Sequence, residues 1–362
     1  MQFDVSERTI YLAVHGSTAY GTNTPESDLD IKGVCVPPSC YYTGFSYVFE
    51  QEERMVSKGH SEDRVTYSVE KFFSLAADCN PNIIEVLFVD DSDVLKCNDL
   101  GKMMRENRDL FLSKRAKHTF SGYAHAQLHR IQTHRRWLLD AAKYESTFPQ
   151  RSDFDLPEFE SKKDGNQILT ALALVQKRLD EWNVDFREFD NAERIRLQNK
   201  LAQFFVEAGV LGDDLWSRAA QAVFGADENL IHRLQRERAY ANQCSDWEKY
   251  ANWKRSRNPK RAALEAKFGM DTKHAAHLIR LMRMCREILQ GKGVIVKRPD
   301  AQELLAIRNG AMSYDELIVE SQKLEAECNE LYETSTLRHK PDVEKLNMLC
   351  MHIVSKYHER FG

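Results

Sequence analysis

The chain has 362 residues, 42% hydrophobic and 29% charged, with a net charge of −4. That is a globular composition with room for two or three domains, and the near balance of charge excludes a wholly basic nucleic-acid binder, so any basic surface is local. There is no run of about 18 apolar residues, and the start MQFDVSERTIYL has neither a basic stretch nor an apolar core; no membrane span and no secretory signal are expected.

The cysteines Cys35, Cys40, Cys79, Cys97, Cys244, Cys285, Cys328 and Cys350 are scattered, without a C-x-x-C pair. This argues against a zinc ribbon or a disulfide framework and for a reducing, cytoplasmic setting. Up to about residue 95, β-branched and aromatic runs alternate with turn signals. TIYLAVHG (9–16), DIKGVCVP (30–37), DRVTYSV (63–69) and IEVLFVD (84–90) read as strands. EKFFSLAADCNPNIIEVL (70–87) reads as a helix, a Pro-marked turn and a helix again. After about residue 100 apolar residues recur at threes and fours. Ile168, Leu169, Leu172, Val175 and Leu179 form one stripe; Leu317, Leu324, Cys328 and Leu331 a second; Leu346, Leu349, Ile353 and Tyr357 a third. The polar, acidic, Pro-containing SDFDLPEFESKKDG (152–165) reads as a surface loop, and GVIVKRP (293–299) as a strand or extended turn. In RPDAQELLAIRNGAMSYDEL (298–317), Gly310 reads as a helix stop and Ser313 as the N-cap of the next helix. The expected architecture is a small α/β N-terminal domain, 1–100, followed by a large, mainly helical domain, 101–362.

The informative stretch is YLAVHGSTAYGTNTPESDLDIKGV (11–34). A strand enters it. Gly16 and Gly21 allow the backbone to turn and approach a ligand, and Ser17 offers a hydroxyl and an amide at the strand end. On a strand, residues two apart share a face, so Asp28 and Asp30 set two carboxylates side by side while Leu29 and Ile31 face the core. Two such carboxylates repel, and a divalent cation relieves the repulsion; hard oxygen ligands suit Mg²⁺, shared with substrate phosphates. The Gly-Ser turn would hold those phosphates through backbone amides. A solvated acidic hairpin explains Ser-Asp-x-Asp alone, but not the whole order of strand, G-S, Y-G, S-D-x-D and strand.

GSTAYGTNTPESDLDIKGV (16–34) resembles the signature of the DNA polymerase β-like nucleotidyltransferase superfamily, and its G-S-x-A-Y-G turn is closer to the predicted nucleotidyltransferases of the YcgL type found in bacteria and large bacteriophages. NPNIIEVLF (80–88), RNPKRAALEAKFGMDTKHAAHLIRL (257–281) and ELLAIRNGAMSYDEL (303–317) share the resemblance, while 140–240 carries little of it. The resemblance implies a nucleotidyltransferase fold with added helices, in which Gly16, Ser17, Tyr20, Gly21 and Ser27 serve the nucleotide and Asp28 and Asp30 the metal, Mg²⁺ or Mn²⁺. Superfamily members use a third acid on a neighbouring strand. Asp63 is the first choice, Glu85 the second if its segment folds back, and Glu62 and Glu70 rank behind them.

Lys273, His277 and Arg280 recur at i, i+4 and i+7 in DTKHAAHLIRLMR (271–283), one face of a helix that would meet the nucleotide phosphates. Two basic segments offer contacts to an anionic acceptor: 117–137, rich in His and Arg, and 246–261, where Lys254, Arg255, Arg257, Lys260 and Arg261 neighbour Trp247, Tyr250 and Trp253. His125 and His129 are four apart but lack the Glu of H-E-x-x-H. The expectation is a metal-dependent enzyme, of ATP-binding type, that moves NMP from an NTP to an acceptor hydroxyl and releases pyrophosphate. An RNA or tRNA 3′ end, a protein side chain and a small molecule are the acceptors in view, and a non-catalytic nucleotide sensor is the rival from another class. The oligomeric state is not readable.

Overall fold

The structure is a computed structural model that describes residues 3–43, 45–58, 60–145, 147–159, 161–182, 212–225 and 228–361. Those residues form two compact units, 1–139 with 258–362, and 140–257. The sequence boundary near residue 100 falls inside the first unit, between its sheet and the helices beyond it.

The first unit is built on a five-stranded mixed sheet of order β3-β4-β2-β1-β5. Strand β1 (Thr9–His15) is an interior strand buried on both faces, with Ile10, Tyr11 and Ala13 fully enclosed. It pairs antiparallel with β2 (Leu29–Cys35) and with β5 (Val94–Cys97). β2 lies parallel to β4 (His60–Ser68), which makes an antiparallel hairpin with β3 (Gln51–Lys58). β3, sequence QEERMVSK, escaped the pattern reading because it is a polar edge strand, and charged residues are what edge strands carry.

Between β1 and β2 the chain closes into a five-residue helix, α1 (Gly16–Tyr20), bounded by Gly16 at φ 66° and Gly21 at φ 73°, so both glycines turn the backbone in the left-handed region. After α2 (Cys40–Thr43) come α3 (Val69–Ala77), N-capped by Ser68, and α4 (Pro81–Leu87). The strand expected at 84–90 is α4 through Leu87. Asn80 caps it and Pro81 occupies its first turn, and a short apolar run such as IIEVL fits a buried helix as well as a strand.

Helices α5 (Asp99–Glu106) and α6 (Arg115–Leu139) complete the N-terminal half. From the C-terminal half come α11 (Pro259–Phe268), α12 (Thr272–Leu289), α13 (Ala301–Arg308), α14 (Tyr314–Thr334) and α15 (Val343–Phe361). α12 is the hub of the helical layer, packed on α6, α13 and α14. Gly310, at φ 92°, ends the turn after α13, and Ser313 caps α14 in a reciprocal capping box with Glu316, as the sequence led one to expect. Leu317, Leu324 and Cys328, and Leu346, Ile353 and Tyr357, lie in the core. Residues 293–299 form neither a strand nor a helix and do not join the sheet.

The second unit holds α7 (Ala141–Tyr144), α8 (Lys162–Trp182), α9 (Gly212–Phe224) and α10 (Glu228–Ser256). Its small core joins Val175, Ala219, Ala220, Ile231 and Leu234, with Ile168 and Leu172 half-buried against them. Leu169 departs from the expected stripe and is 60% exposed. The side chains of Leu179 and Lys260 lie outside the described residues. The expected loop at 152–165 is helical at both ends, from 151 to 154 and from Lys162. No helix among the described residues is long and apolar enough to cross a membrane.

Candidate active site

A cavity of about 450 Å³ opens in the first unit between the β1–α1–β2 segment and helices α12 and α13. That is within the usual size of a small-ligand site. Gly16, Ser17, Tyr20 and Asp30 line one side, Lys273, His277 and Arg280 another. The sequence had named all seven. His15, Lys32, Asn82 and Arg308 also line it, and no spacing rule singled them out.

The β1–β2 register sets His15 opposite Asp30. The turn after His15 packs directly on that carboxylate: a Cβ built on Gly16 would sit 1.9 Å from Asp30 Oδ2. Glycine is required here twice, for the positive φ and for the close approach. In the parallel β2–β4 register Asp30 lies beside Asp63. Asp28 precedes β2 and is exposed, and Asp63 is half-buried. The Asp30 carboxyl is raised above its ordinary value, first by burial; Lys32 opposes this, and Asp63 and Asp28 add to it. Asp28, Asp30 and Asp63 do not bring their oxygens within 4.8 Å of one another as a trio. Ser27 uses its hydroxyl to close the 24–27 turn, accepting from Thr24 N at 2.9 Å, and Gly21 caps α1; neither lines the cavity.

Glu85, the second choice for a third metal ligand, has another task. It is fully buried, 2.7 Å from Arg280 on α12, and takes hydrogen bonds from Tyr20 Oη at 2.5 Å and from the His15 ring at 3.2 Å. Burial alone would raise its carboxyl, but Arg280, His15 and Tyr20 outweigh burial and hold it well below the usual carboxylate range. The Arg280 guanidinium also lies 3.9 Å over the Tyr20 ring. Arg280, expected to meet phosphate, is thus committed to Glu85 and ties α12 to α1 and α4.

Four basic groups of the cavity are lowered. Burial lowers His15 to about 4, with Lys32 adding to the effect. Burial lowers Lys32 to about 8 against the pull of Glu85 and Asp30, while its Nζ donates to Asn82 O at 2.6 Å. Burial and then Arg280 lower His277 to about 3, and its Nε2 is buried without a hydrogen-bond partner. Lys273 is lowered first by burial, then by Arg261 and Arg308. The cavity therefore holds neutral imidazoles at neutral pH, with the cations Lys32, Lys273 and Arg308 around its acidic edge.

The basic segments are divided. Residues 117–137 lie within α6, where His125 meets Glu325 at 2.9 Å and His129 is exposed. Residues 246–257 belong to the second unit and 258–261 to the first. In the second unit Tyr250 is buried, Trp247 packs edge-on against Phe148, Arg257 lies 4.2 Å over the Trp253 ring and Lys254 pairs with Glu145 at 2.6 Å. These aromatics pack within the unit, where the sequence suggested base stacking.

The mixed sheet, with a Gly-Ser turn closing onto the acidic start of the neighbouring strand beside a second acidic strand, resembles what the sequence led one to expect of the DNA polymerase β-like superfamily. The comparisons with known proteins place the resemblance more closely. Residues 2–144 match the family model described as "RlaP: RNA repair pathway DNA polymerase beta family". A protein of Enterobacteria phage T4, described as "Uncharacterized 38.9 kDa protein in nrdC-mobD intergenic region", is 31% identical over 127 residues, 33% of this chain. The match spans 38% of that relative's length. The family match takes in the whole sheet, α1 and α6, and ends before α12 and α13, which carry the other wall of the cavity.

Proposed function

We propose that the chain is a metal-dependent nucleotidyltransferase whose active site is this cavity, with residues 1–100 supplying the catalytic elements and the later helices completing the cleft. The observation that carries the reading is the contact of the Gly16 turn with Asp30, in register with Asp63. It sets the backbone of the turn directly against a carboxylate on which Asp63 and Asp28 act as like charges and Lys32 as the opposing one.

The residues present fit Mg²⁺ or Mn²⁺. Asp28, just before β2, and Asp30 and Asp63, paired across β2 and β4, are hard oxygen donors, and the net upward shift at Asp30 marks a site that a cation would relieve. Bound there, the metal would lower the acceptor hydroxyl's pKa and neutralise the leaving group. The chain's own residues do the rest. Lys273 and Arg308 face the acidic edge across the cavity and bind the triphosphate. Ser17 and the backbone at Gly16 hold its phosphate oxygens beside Asp30. Lys32, fixed by Asn82, supplies a further charge. The acceptor oxygen bonds to the α-phosphorus, the bond to the β-phosphate oxygen breaks, the hydroxyl proton passes to solvent, and pyrophosphate leaves.

The acceptor we propose is an RNA 3′ end, supported by the RNA-repair wording of the matched family and by the exposed His and Arg residues of α6. The test mixes the protein, Mg²⁺ or Mn²⁺ and each α-labelled NTP with RNA, with a protein lysate, or alone. Label should enter the RNA and vanish with Asp28→Ala/Asp30→Ala. Label entering protein instead would reassign the acceptor. NTP binding without pyrophosphate release would make the chain a sensor and end the enzymatic reading.

A further inference from the structure

We propose a second divalent-metal site, of the mixed imidazole–carboxylate type that takes zinc, formed by His134, Glu265, Asp271 and His274 and separate from the carboxylates of β2 and β4. Its residues come from three helices. His134 is near the end of α6, Glu265 is on α11, Asp271 is the N-cap of α12 and His274 lies in its first turn.

Ligand atoms of His134, Glu265 and Asp271 all lie within 4.8 Å of one another, and no other three His, Cys, Asp or Glu groups among the described residues converge so closely. Both carboxylates are 3% exposed. Burying two carboxylates together is costly unless cations answer them. His134 Nδ1 is 3.8 Å from Glu265 Oε1, and an Arg261 guanidinium nitrogen is 3.9 Å from Asp271 Oδ2. Each distance exceeds a hydrogen bond.

At Asp271 and His274 the local bonding leaves one ligand atom each, and these two atoms lie 3.5 Å apart. Asp271 Oδ1 caps α12, accepting from Lys273 N at 2.9 Å and His274 N at 3.0 Å, so Oδ2 is the oxygen left for a ligand. His274 Nδ1 lies 2.7 Å from Gln127 Oε1, which makes Nδ1 the donor and leaves Nε2 as a lone pair, 3.5 Å from Asp271 Oδ2. A ligating histidine fixed by an outer carbonyl is the usual support of a metal centre. Trp137 stacks on the His134 ring, with 5.6 Å between centroids, and covers that side.

Two imidazoles and two carboxylates suit zinc or a borderline neighbour; magnesium prefers oxygen alone. With metal–ligand bonds of about 2 Å, side-chain rotation closes the remaining gap. The ion would tie α6 and α11 to the start of α12, two residues before Lys273 enters the cavity.

The test uses the full chain carrying Asp28→Asn/Asp30→Asn, so that the proposed catalytic carboxylates do not contribute. The protein is stripped with a chelator and titrated with Zn²⁺ against a chromophoric chelator, and its melting temperature is read with and without Zn²⁺. One equivalent should bind, excess Mg²⁺ should not displace it, and Zn²⁺ should raise the melting temperature. Glu265→Gln, which keeps the shape, and His134→Ala, on the less buried side, should each weaken binding at least tenfold and abolish the thermal shift. Zn²⁺ binding and stabilisation unchanged in both variants would overturn the site, as would no stoichiometric binding by the parent.

Discussion

Asp30 lines the cavity and Glu85 is fully buried against three lining residues, Tyr20, His15 and Arg280, and burial pushes both carboxyls upward. Their neighbours set them apart. Glu85 has Arg280 at 2.7 Å and hydrogen bonds from Tyr20 and His15, so its charge is answered inside the fold. Asp30 has Asp63 in the next strand and Asp28 two residues back, with Lys32 alone ranking above them in effect. A carboxylate the fold has satisfied is a structural member; one kept in like-charged company is available to a ligand. On the proposed function, that contrast leaves Asp30 to the chemistry and Glu85 to the scaffold, though both are acids near the same turn.

The most forceful way to break the contrast is to neutralise each acid. Asp30→Asn should cut transfer about 1,000-fold, roughly 4 kcal/mol of barrier. The same change removes like-charge repulsion, so the melting temperature should hold or rise. Activity that survives in Asp30→Asn would remove the carboxylate from the mechanism. Arg280→Met should act in the opposite sense. It strands a buried charge on Glu85 and should cost about 3–5 kcal/mol of stability in denaturant melts. The double variant Glu85→Gln/Arg280→Met should regain most of that loss, because no unpaired charge is left behind. A double variant no better than the single would mean that Arg280 contributes by packing alone.

These roles were only partly legible in the sequence. Asp30 and the two glycines could be read because their chemistry is local: Asp30 stands at the start of a strand, and a positive φ demands glycine; Asp28 falls just before β2, off the strand face the spacing predicted. The i, i+4, i+7 face of α12 was legible for the same reason. The partner of Glu85 was not, because Arg280 stands 195 positions away and only packing brings them together. The helix at Pro81–Leu87 hid Glu85 further, since IIEVL satisfies strand and helix patterns alike. Lys32 and Arg308 lie within the segments that carry the resemblance, but no local spacing tied either to the cavity. β3 was missed because an edge strand of mostly polar residues has no alternation to detect.

The buried imidazoles sharpen the contrast through pH. In the folded chain His15 is lowered to about 4 and His277 to about 3, from an ordinary 6.5. Between those values the unfolded chain binds protons that the folded chain refuses. Stability therefore rises with pH there, and is lost as pH falls below 6.5. Each group adds up to about 1.4 kcal/mol per pH unit to that slope. Melting temperature tracked from pH 7 to 5 should drop steeply, and His277→Gln should flatten the drop. An equal slope in that variant would show that His277 is not held neutral.

The smallest effect tests whether the cation side of the cavity belongs to binding. Lys273 is on α12, beyond the residues matched by the family model, so its role rests on placement alone. It lines the cavity, and Asp30 is among the charges that act on it. Its lowered pKa means that the fold makes its charge harder to keep, the reverse of Arg280, whose guanidinium Glu85 stabilises. A triphosphate would supply the missing counter-charge. Lys273→Met should then raise KM for the nucleotide about tenfold, near 1.4 kcal/mol, with kcat little changed, as expected for a contact equally strong before and during reaction. A fall in kcat at unchanged KM would instead place Lys273 on charge that develops in the transition state. No change in either would confine nucleotide binding to the β1–α1–β2 side of the cavity.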